Sequence, residues 1–226
     1  MDFCSIASGS SGNCIYVGTE HTGVLIDAGI SGKKVVAGLN SIDRKPEELE
    51  GILITHEHSD HIKGLGVLAR KYGIPVFCSA GTKRAMLGQK MLGKVDESLF
   101  HEIVPDESFH ISELEIQPFR VSHDAAEPVA YRLSCEDKSV AVATDLGYYD
   151  DYIVDHLKNL DSVLIESNHD VNMLQVGTYP YYLKQRILGF KGHLSNDNAG
   201  RLLGEILHDK KMCIRDRCIP PYHGDG

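Results

Sequence analysis

The sequence predicts a mixed α and β fold. Short apolar runs of strand length recur in both halves of the chain, and stretches with helical spacing follow them at corresponding places. The 226-residue length, with 42% hydrophobic and 24% charged residues, is ordinary for a globular domain able to bury a substantial core. Such a pattern fits two sheets packed face to face, each covered outside by helices.

In chain order, Asp2–Ala7 reads as a strand, Ser8–Asn13 as a tight loop and Cys14–Gly18 as the return strand. The glycines and serines of the loop allow positive φ and present backbone N–H groups, so it reads either as an anion-holding nest or as a plain hairpin turn. Val24–Gly29 is a buried strand ending in Asp27, a carboxylate expected to orient neighbouring backbone. Ser31–Leu39 is helical, with a further helical turn at Lys45–Leu49. Gly51–Ile54 is a buried strand, and Ile62–Tyr72 an amphipathic helix. Pro75–Cys78 gives a strand and Thr82–Met91 a helix. Four β runs follow, at Leu99–Val104, Leu114–Val121, Val129–Leu133 and Ser139–Ala143, separated by polar turns. Asp150–Leu160 is helical, Ser162–Glu166 a strand, and Tyr179–Leu188 and Asn196–His208 are helices. No internal repeat, low-complexity tract or linker divides residues 1–211, which read as one domain.

Between the Gly51–Ile54 strand and the next helix lies His56-Glu57-His58-Ser59-Asp60-His61. Three imidazoles and a carboxylate packed this closely are costly to bury unpaired, and they combine the nitrogen and oxygen donors that borderline divalent metals take. His56 and His58, two apart on an extended segment, can point the same way, while Asp60 and His61 can diverge toward a second ion. An isolated histidine pair would read as polar surface; HxHxDH directly after an apolar strand reads as a metal loop. Further donors at strand ends are His123, after Leu114–Val121, and Asp145, after the next β run. Each alone is as well read as a turn former.

Composition bounds the setting. The start, Met1-Asp2-Phe3-Cys4-Ser5-Ile6, has no basic region or sustained apolar run, so no secretory signal is expected. No stretch approaches the roughly 18 apolar residues of a membrane span. The six cysteines are scattered without a CxxC pair, as expected of reduced thiols in a cytoplasmic protein. A formal charge of −9 argues against indiscriminate nucleic-acid binding, although bound divalent ions would offset several carboxylates at a nuclease site.

The order HxHxDH, His123, Asp145, together with Leu25-Ile26-Asp27-Ala28-Gly29, resembles the successive motifs of the metallo-β-lactamase-fold hydrolases. The SGSSGN loop (Ser8–Asn13), Ser122-His123-Asp124-Ala125 and Gly192-His193-Leu194-Ser195-Asn196 are similar to those of the bacterial WalJ/YycJ (VicX-like) group, related to ribonuclease Z. The resemblance implies a four-layer αββα fold and two divalent ions, zinc or manganese. One ion would be held by His56, His58 and His123, the other by Asp60, His61 and Asp145, with Asp145 bridging. It implies a metal-bridging hydroxide as nucleophile, Glu166 paired with His193 for proton transfer to the leaving group, and Asp27, Ser10, Ser11 and Asn13 as supporting or substrate-loop residues. The expected function is a phosphodiesterase or exonuclease-like nuclease acting on DNA or RNA. A thioester or lactone hydrolase, or an inactive regulatory domain, stands as the alternative.

One departure is expected to matter. The family places a final strand and a further metal-binding His, in a segment like HLSRENN, near its end. Here residues 212–226 show no strand periodicity and resemble translated adapter sequence, so the chain is expected to lack its last strand and to carry an artificial tail outside the fold. His223, in that Pro- and Gly-rich stretch, is not expected to replace the ligand.

Overall fold

The computed structural model describes residues 1–207 and 213–217, the latter as backbone. They divide into two compact units: Met1–Arg120 with Ala125–Lys138, and Val121–Asp124 with the described residues from Ser139 on.

The first unit opens with β1 (Asp2–Ala7), β2 (Cys14–Gly18) and β3 (Gly23–Ile26), followed by α1 (Gly32–Asn40). A 3-10 turn at Pro46–Glu48 leads into β4 (Leu49–Leu53). Then come α2 (Ser59–Ile62), α3 (Leu65–Tyr72), β5 (Val76–Ser79), α4 (Ala80–Leu87) and β6 (Phe100–Ile103). These strands form one sheet in the order β1-β2-β3-β4-β5-β6, antiparallel through β3 and parallel from β3 to β6. A meander of β7 (Phe109–Ile111), β8 (Leu114–Arg120) and β9 (Val129–Cys135) completes the unit.

Burial explains why the central strands read as near-continuous apolar runs, since parallel strands are covered on both faces. Leu25, Ile52 and Ile54 join Val35 and Leu39 of α1 and Leu65 and Leu68 of α3 in one core. In α1 and α3 these residues recur at helical spacing, which places one stripe inward. Each fully buried aliphatic side chain contributes about 1.5–3 kcal/mol. Ile26 and Leu53 are also fully buried, and Tyr131 of β9 donates its hydroxyl to the Ile54 carbonyl at 2.9 Å.

The expected helix Ile62–Tyr72 begins at Leu65, after a separate four-residue helix, α2, that ends at Ile62. At the break the Gly64 N–H donates to the Ala28 carbonyl at 2.7 Å, and a Cβ there would lie 2.3 Å from the Ile30 carbonyl oxygen. The chain bends where it must touch the segment after β3. β7 was not anticipated, because three residues are too few to show alternation.

The second unit holds β10 (Lys138–Ala143), α5 (Asp151–Leu157), β11 (Ser162–Glu166), α6 (Val171–Val176), α7 (Tyr181–Leu188), α8 (Asn196–Ile206) and β12 (Cys213–Arg217). Side-chain caps fix three helix starts: Asp150 on Ile153, Asp170 on Met173 and Ser195 on Asn198. α6 was not anticipated, since only Leu174 of its six residues is buried and no apolar stripe marks it.

The sequence places residues 212–226 outside the fold; of these, Cys213–Arg217 lies parallel to β11, from Ser162 opposite Cys213 to Glu166 opposite Arg217. A ladder is made by backbone groups, so a strand can form without the side-chain alternation that periodicity detects. His223 and Cys218, and His208 at the expected end of α8, lie outside the described residues. Among the described residues, no helix is long and apolar enough to cross a membrane.

Candidate metal ligands and proton donor

In the first unit, the loop after β4 is organised by Asp27 and Thr55. Asp27 is fully buried at the end of β3 with φ 62°, a left-handed conformation that Asp tolerates better than most residues. Its Oδ1 accepts the Thr55 N–H at 2.9 Å, and its Oδ2 accepts the Thr55 hydroxyl at 2.9 Å and His61 Nδ1 at 2.7 Å. The Thr55 oxygen also lies 3.0 Å from His56 Nδ1. One proton pattern satisfies this network: both Nδ1 atoms carry hydrogen, and both Nε2 atoms present lone pairs. Asp27 thus orients backbone, as expected, and an imidazole as well.

The imidazoles of this loop converge. His56 Nε2 and His58 Nδ1 face each other at 3.1 Å, and the His56 and His61 ring centroids are 4.0 Å apart. The Asp60 carboxylate stands 3.6 Å from His61 Nε2. Asn13, fully buried, places its Nδ2 at 2.9 Å from the same nitrogen, and its backbone N–H donates to the Asp60 carbonyl at 2.8 Å. Gly29 makes this crossing possible: a Cβ there would sit 1.7 Å from the Asp60 carbonyl oxygen. Ser10 and Ser11 are exposed at the loop tip, and the Gly12 N–H closes a turn on the Gly9 carbonyl. The loop is a hairpin turn whose one buried side chain, Asn13, reaches the histidines.

In the second unit, His123 is buried, with Nδ1 at 3.1 Å from the Gly192 carbonyl and Nε2 at 3.3 Å from Asp124. Burial lowers its pKa and so favours the neutral form, against the opposing pull of Asp145. Asp145 follows β10 with φ 53°, and its Oδ1 lies 3.3 Å from His193 Nδ1. Glu166, fully buried at the end of β11, accepts His193 Nδ1 and Asn168 Nδ2, each at 2.8 Å, on Oε1. Its Oε2 accepts the N–H groups of Leu146 at 3.0 Å and Leu194 at 3.3 Å. Burial of His193 by itself would lower its pKa; hydrogen bonds and charge from Asp145 and Glu166 together outweigh it and raise the value to about 10. The two carboxylates thus favour the protonated form of His193.

The donors suit a divalent ion. Imidazole nitrogens directed at one another, with their far nitrogens fixed by a hydroxyl and a carboxylate, are what a cation organises and what bare imidazoles avoid. Asp145, Glu166 and His193 also offer ligand atoms within 4.8 Å of one another, but Glu166 already accepts four hydrogen bonds, which marks it as a support. Sequence reasoning missed Thr55 and Asn168. Their only signal was position: each lies within two residues of a strand end that carries a site residue.

The model of the family described as beta-lactamase superfamily domain matches residues 22–214, and the chain belongs to that family. It is a metal-dependent hydrolase with the metallo-β-lactamase fold. The chain is 48% identical over 209 residues to Exodeoxyribonuclease WalJ of Streptococcus pneumoniae, covering 92% of this chain and 78% of that one. It is 41% identical over 216 residues to Exodeoxyribonuclease YycJ of Bacillus anthracis, covering 95% and 80%. Among solved structures, the short form of human tRNase Z aligns with a TM-score of 0.69 at 16% identity, over 97% of this chain and 96% of that one, a likeness of fold.

Proposed function

We propose that this protein is a two-metal phosphodiesterase that removes nucleotides from the end of a DNA strand. The observation that carries the reading is the pairing of a metal-type histidine loop with a separate, carboxylate-held imidazolium, in a chain so similar over most of its length to two proteins named exodeoxyribonuclease. Following the order of the family's motifs, His56, His58 and His123 would hold one ion, and Asp60, His61 and Asp145 the other. The ions are zinc or manganese, both of which imidazole and carboxylate donors accept. When bound, they supply Lewis acidity and lower the pKa of a water toward neutrality.

The chain's own residues carry the remaining work. Asp27 and Thr55 keep the Nδ1 atoms of His56 and His61 engaged, so that their Nε2 atoms stay available. His193, charged and steadied by Glu166, gives its proton to the oxygen that leaves phosphorus, after which the two carboxylates favour its reprotonation. A cytoplasmic location is part of the proposal, supported by the free thiols of Cys4, Cys14, Cys78 and Cys135.

The test is release of nucleotides from end-labelled DNA and RNA strands by the zinc- or manganese-loaded protein. Expected are mononucleotides from DNA, loss of metal and turnover in His58→Ala, and, in His193→Ala, retained metal with turnover reduced about 10²–10⁴-fold. Absence of release at full metal content, or undiminished release by His58→Ala, overturns the reading.

A further inference from the structure

The second unit displays a surface that the chemistry above does not use. Although the chain carries a formal charge of −9, no Asp or Glu occurs between Asp170 and Asp197, while Lys184, Arg186 and Lys191 do. The same stretch exposes Tyr181 and Tyr182, and Phe190 is 78% exposed. Lys184 donates to the Gln175 carbonyl and Arg186 pairs with Asp124, whereas Lys191 extends into solvent beside Phe190.

Phe190 is displayed on a rigid backbone. Its carbonyl accepts the Ser122 hydroxyl at 2.8 Å and packs so closely on Gly147 that a Cβ there would lie 2.1 Å away. The Gly147 N–H in turn donates to the Ser122 carbonyl at 2.7 Å. Ser122 precedes His123, Gly147 follows Asp145 by two residues, and Phe190 precedes His193 by three. The ring therefore stands on backbone clamped among the segments that bear His123, Asp145 and His193. It meets Tyr148 edge to face, with centroids 5.6 Å apart and planes at 86°, which steadies it while leaving most of its surface in water. A phenyl ring so exposed adds little to the core, and its fixed position suits it to contact something else.

We propose that Phe190, braced by Tyr148, is the stacking platform for an unpaired base of the substrate, with Lys191 pairing to the strand's phosphate, so that the protein takes a single-stranded end. The inference rests on the nuclease reading and deepens it. In a duplex interior both faces of every base are already stacked, and only an unpaired or frayed base offers a free face to a ring. The cationic, acid-free stretch around Phe190 is complementary to a phosphate backbone.

The test is binding of the metal-loaded protein to a short phosphorothioate single strand, followed by fluorescence anisotropy. Phe190→Ala should bind about tenfold more weakly, within the range for removing one base–aromatic stack, and Phe190→Trp should bind as wild type does. An abasic strand of equal charge should bind wild type and Phe190→Ala equally. Lys191→Ala should weaken both strands alike and reduce the salt dependence by about one ion. Unchanged affinity of Phe190→Ala, an equal loss on the abasic strand, or a wild-type dimer that this substitution makes monomeric overturns the inference. Nucleotide release by the wild type is scored separately: if it occurs and the anisotropy arm fails, the nuclease reading stands without this platform. If release fails and the anisotropy arm succeeds, the surface binds single strands and the proposed activity falls.

Discussion

Replacing Thr55 with Val should leave a folded protein that binds metal poorly. The substitution keeps the backbone N–H that Asp27 Oδ1 accepts at 2.9 Å, so the link between β3 and the metal loop survives. It removes a hydroxyl, 1% exposed as a residue, that donates to Asp27 Oδ2 and accepts from His56 Nδ1. Leaving a buried group without its partner costs about 1–3 kcal/mol, so the metal-free protein should lose roughly 2 kcal/mol of stability. The larger effect should be on the ion. His56 loses the contact that fixes its ring, and changes to such outer partners typically cost about 10–100-fold in metal affinity. Competition of the metal-loaded protein against a chromogenic chelator measures this directly, and urea unfolding of the metal-free form measures the first effect separately. Thr55→Ser, which keeps the oxygen, should retain near-normal affinity. If Thr55→Val binds metal within about twofold of wild type, the hydroxyl does not orient His56 and the proton assignment is wrong.

Gly29→Ala should lower both the melting temperature and the metal content, because its Cβ would lie 1.7 Å from the Asp60 carbonyl and backbone must move; overpacking of this kind costs about 1–3 kcal/mol, and an unchanged melting curve would contradict it. Tyr131→Phe leaves the Ile54 carbonyl without its 2.9 Å donor and should cost about 1–3 kcal/mol in urea unfolding, with no loss to be seen if water replaces the hydroxyl. Burial pushes the Cys78 thiol up to about 12 from an unfolded value near 9.0, so the folded form holds its proton where the unfolded form releases it. Stability from this group is fully present below pH 9.0 and falls between there and about 12, by up to about 1.4 kcal/mol per pH unit. Wild type should therefore lose stability faster than Cys78→Ala above pH 9.0, and parallel pH profiles would refute the assignment.

Strands and donors announced themselves in the sequence for different reasons. Ile52, Leu53 and Ile54 are buried on both sides, so the run is apolar throughout and needs no partner to be recognised. The HxHxDH loop is dense in residues that have no cheap alternative use in a buried setting. Thr55 and Asn168 were illegible because hydroxyl and amide side chains are common at strand ends, and only their distances to Asp27, His56 and Glu166 distinguish them. The break at Gly64 was illegible because it depends on a contact with Ala28, far off in the chain, and not on local helix propensity. β12 shows the opposite limit, a strand recognised by its ladder with β11 and by no pattern of its own.

The two strand-end aspartates show how one device recurs in each unit. β3 runs parallel to β4, and β10 runs parallel to β11. Asp27 and Asp145 each follow the first strand of such a pair in a left-handed conformation, with φ of 62° and 53°. That conformation costs an L-residue roughly 1–2 kcal/mol, least for Asp and Asn, and it persists where surrounding contacts determine it. In the first unit those contacts are Thr55 and His61, from the loop after β4. In the second, Glu166 at the end of β11 receives the N–H of Leu146, directly after Asp145, while His193 meets both carboxylates. Each aspartate thus leaves the alternation of its strand and meets an imidazole, at 2.7 Å for His61 and 3.3 Å for His193. The two differ in which ring atom the carboxylates meet: Asp27 holds His61 through Nδ1 and Asp60 stands 3.6 Å from its Nε2, whereas Asp145 and Glu166 both meet Nδ1 of His193 and together favour its protonated form.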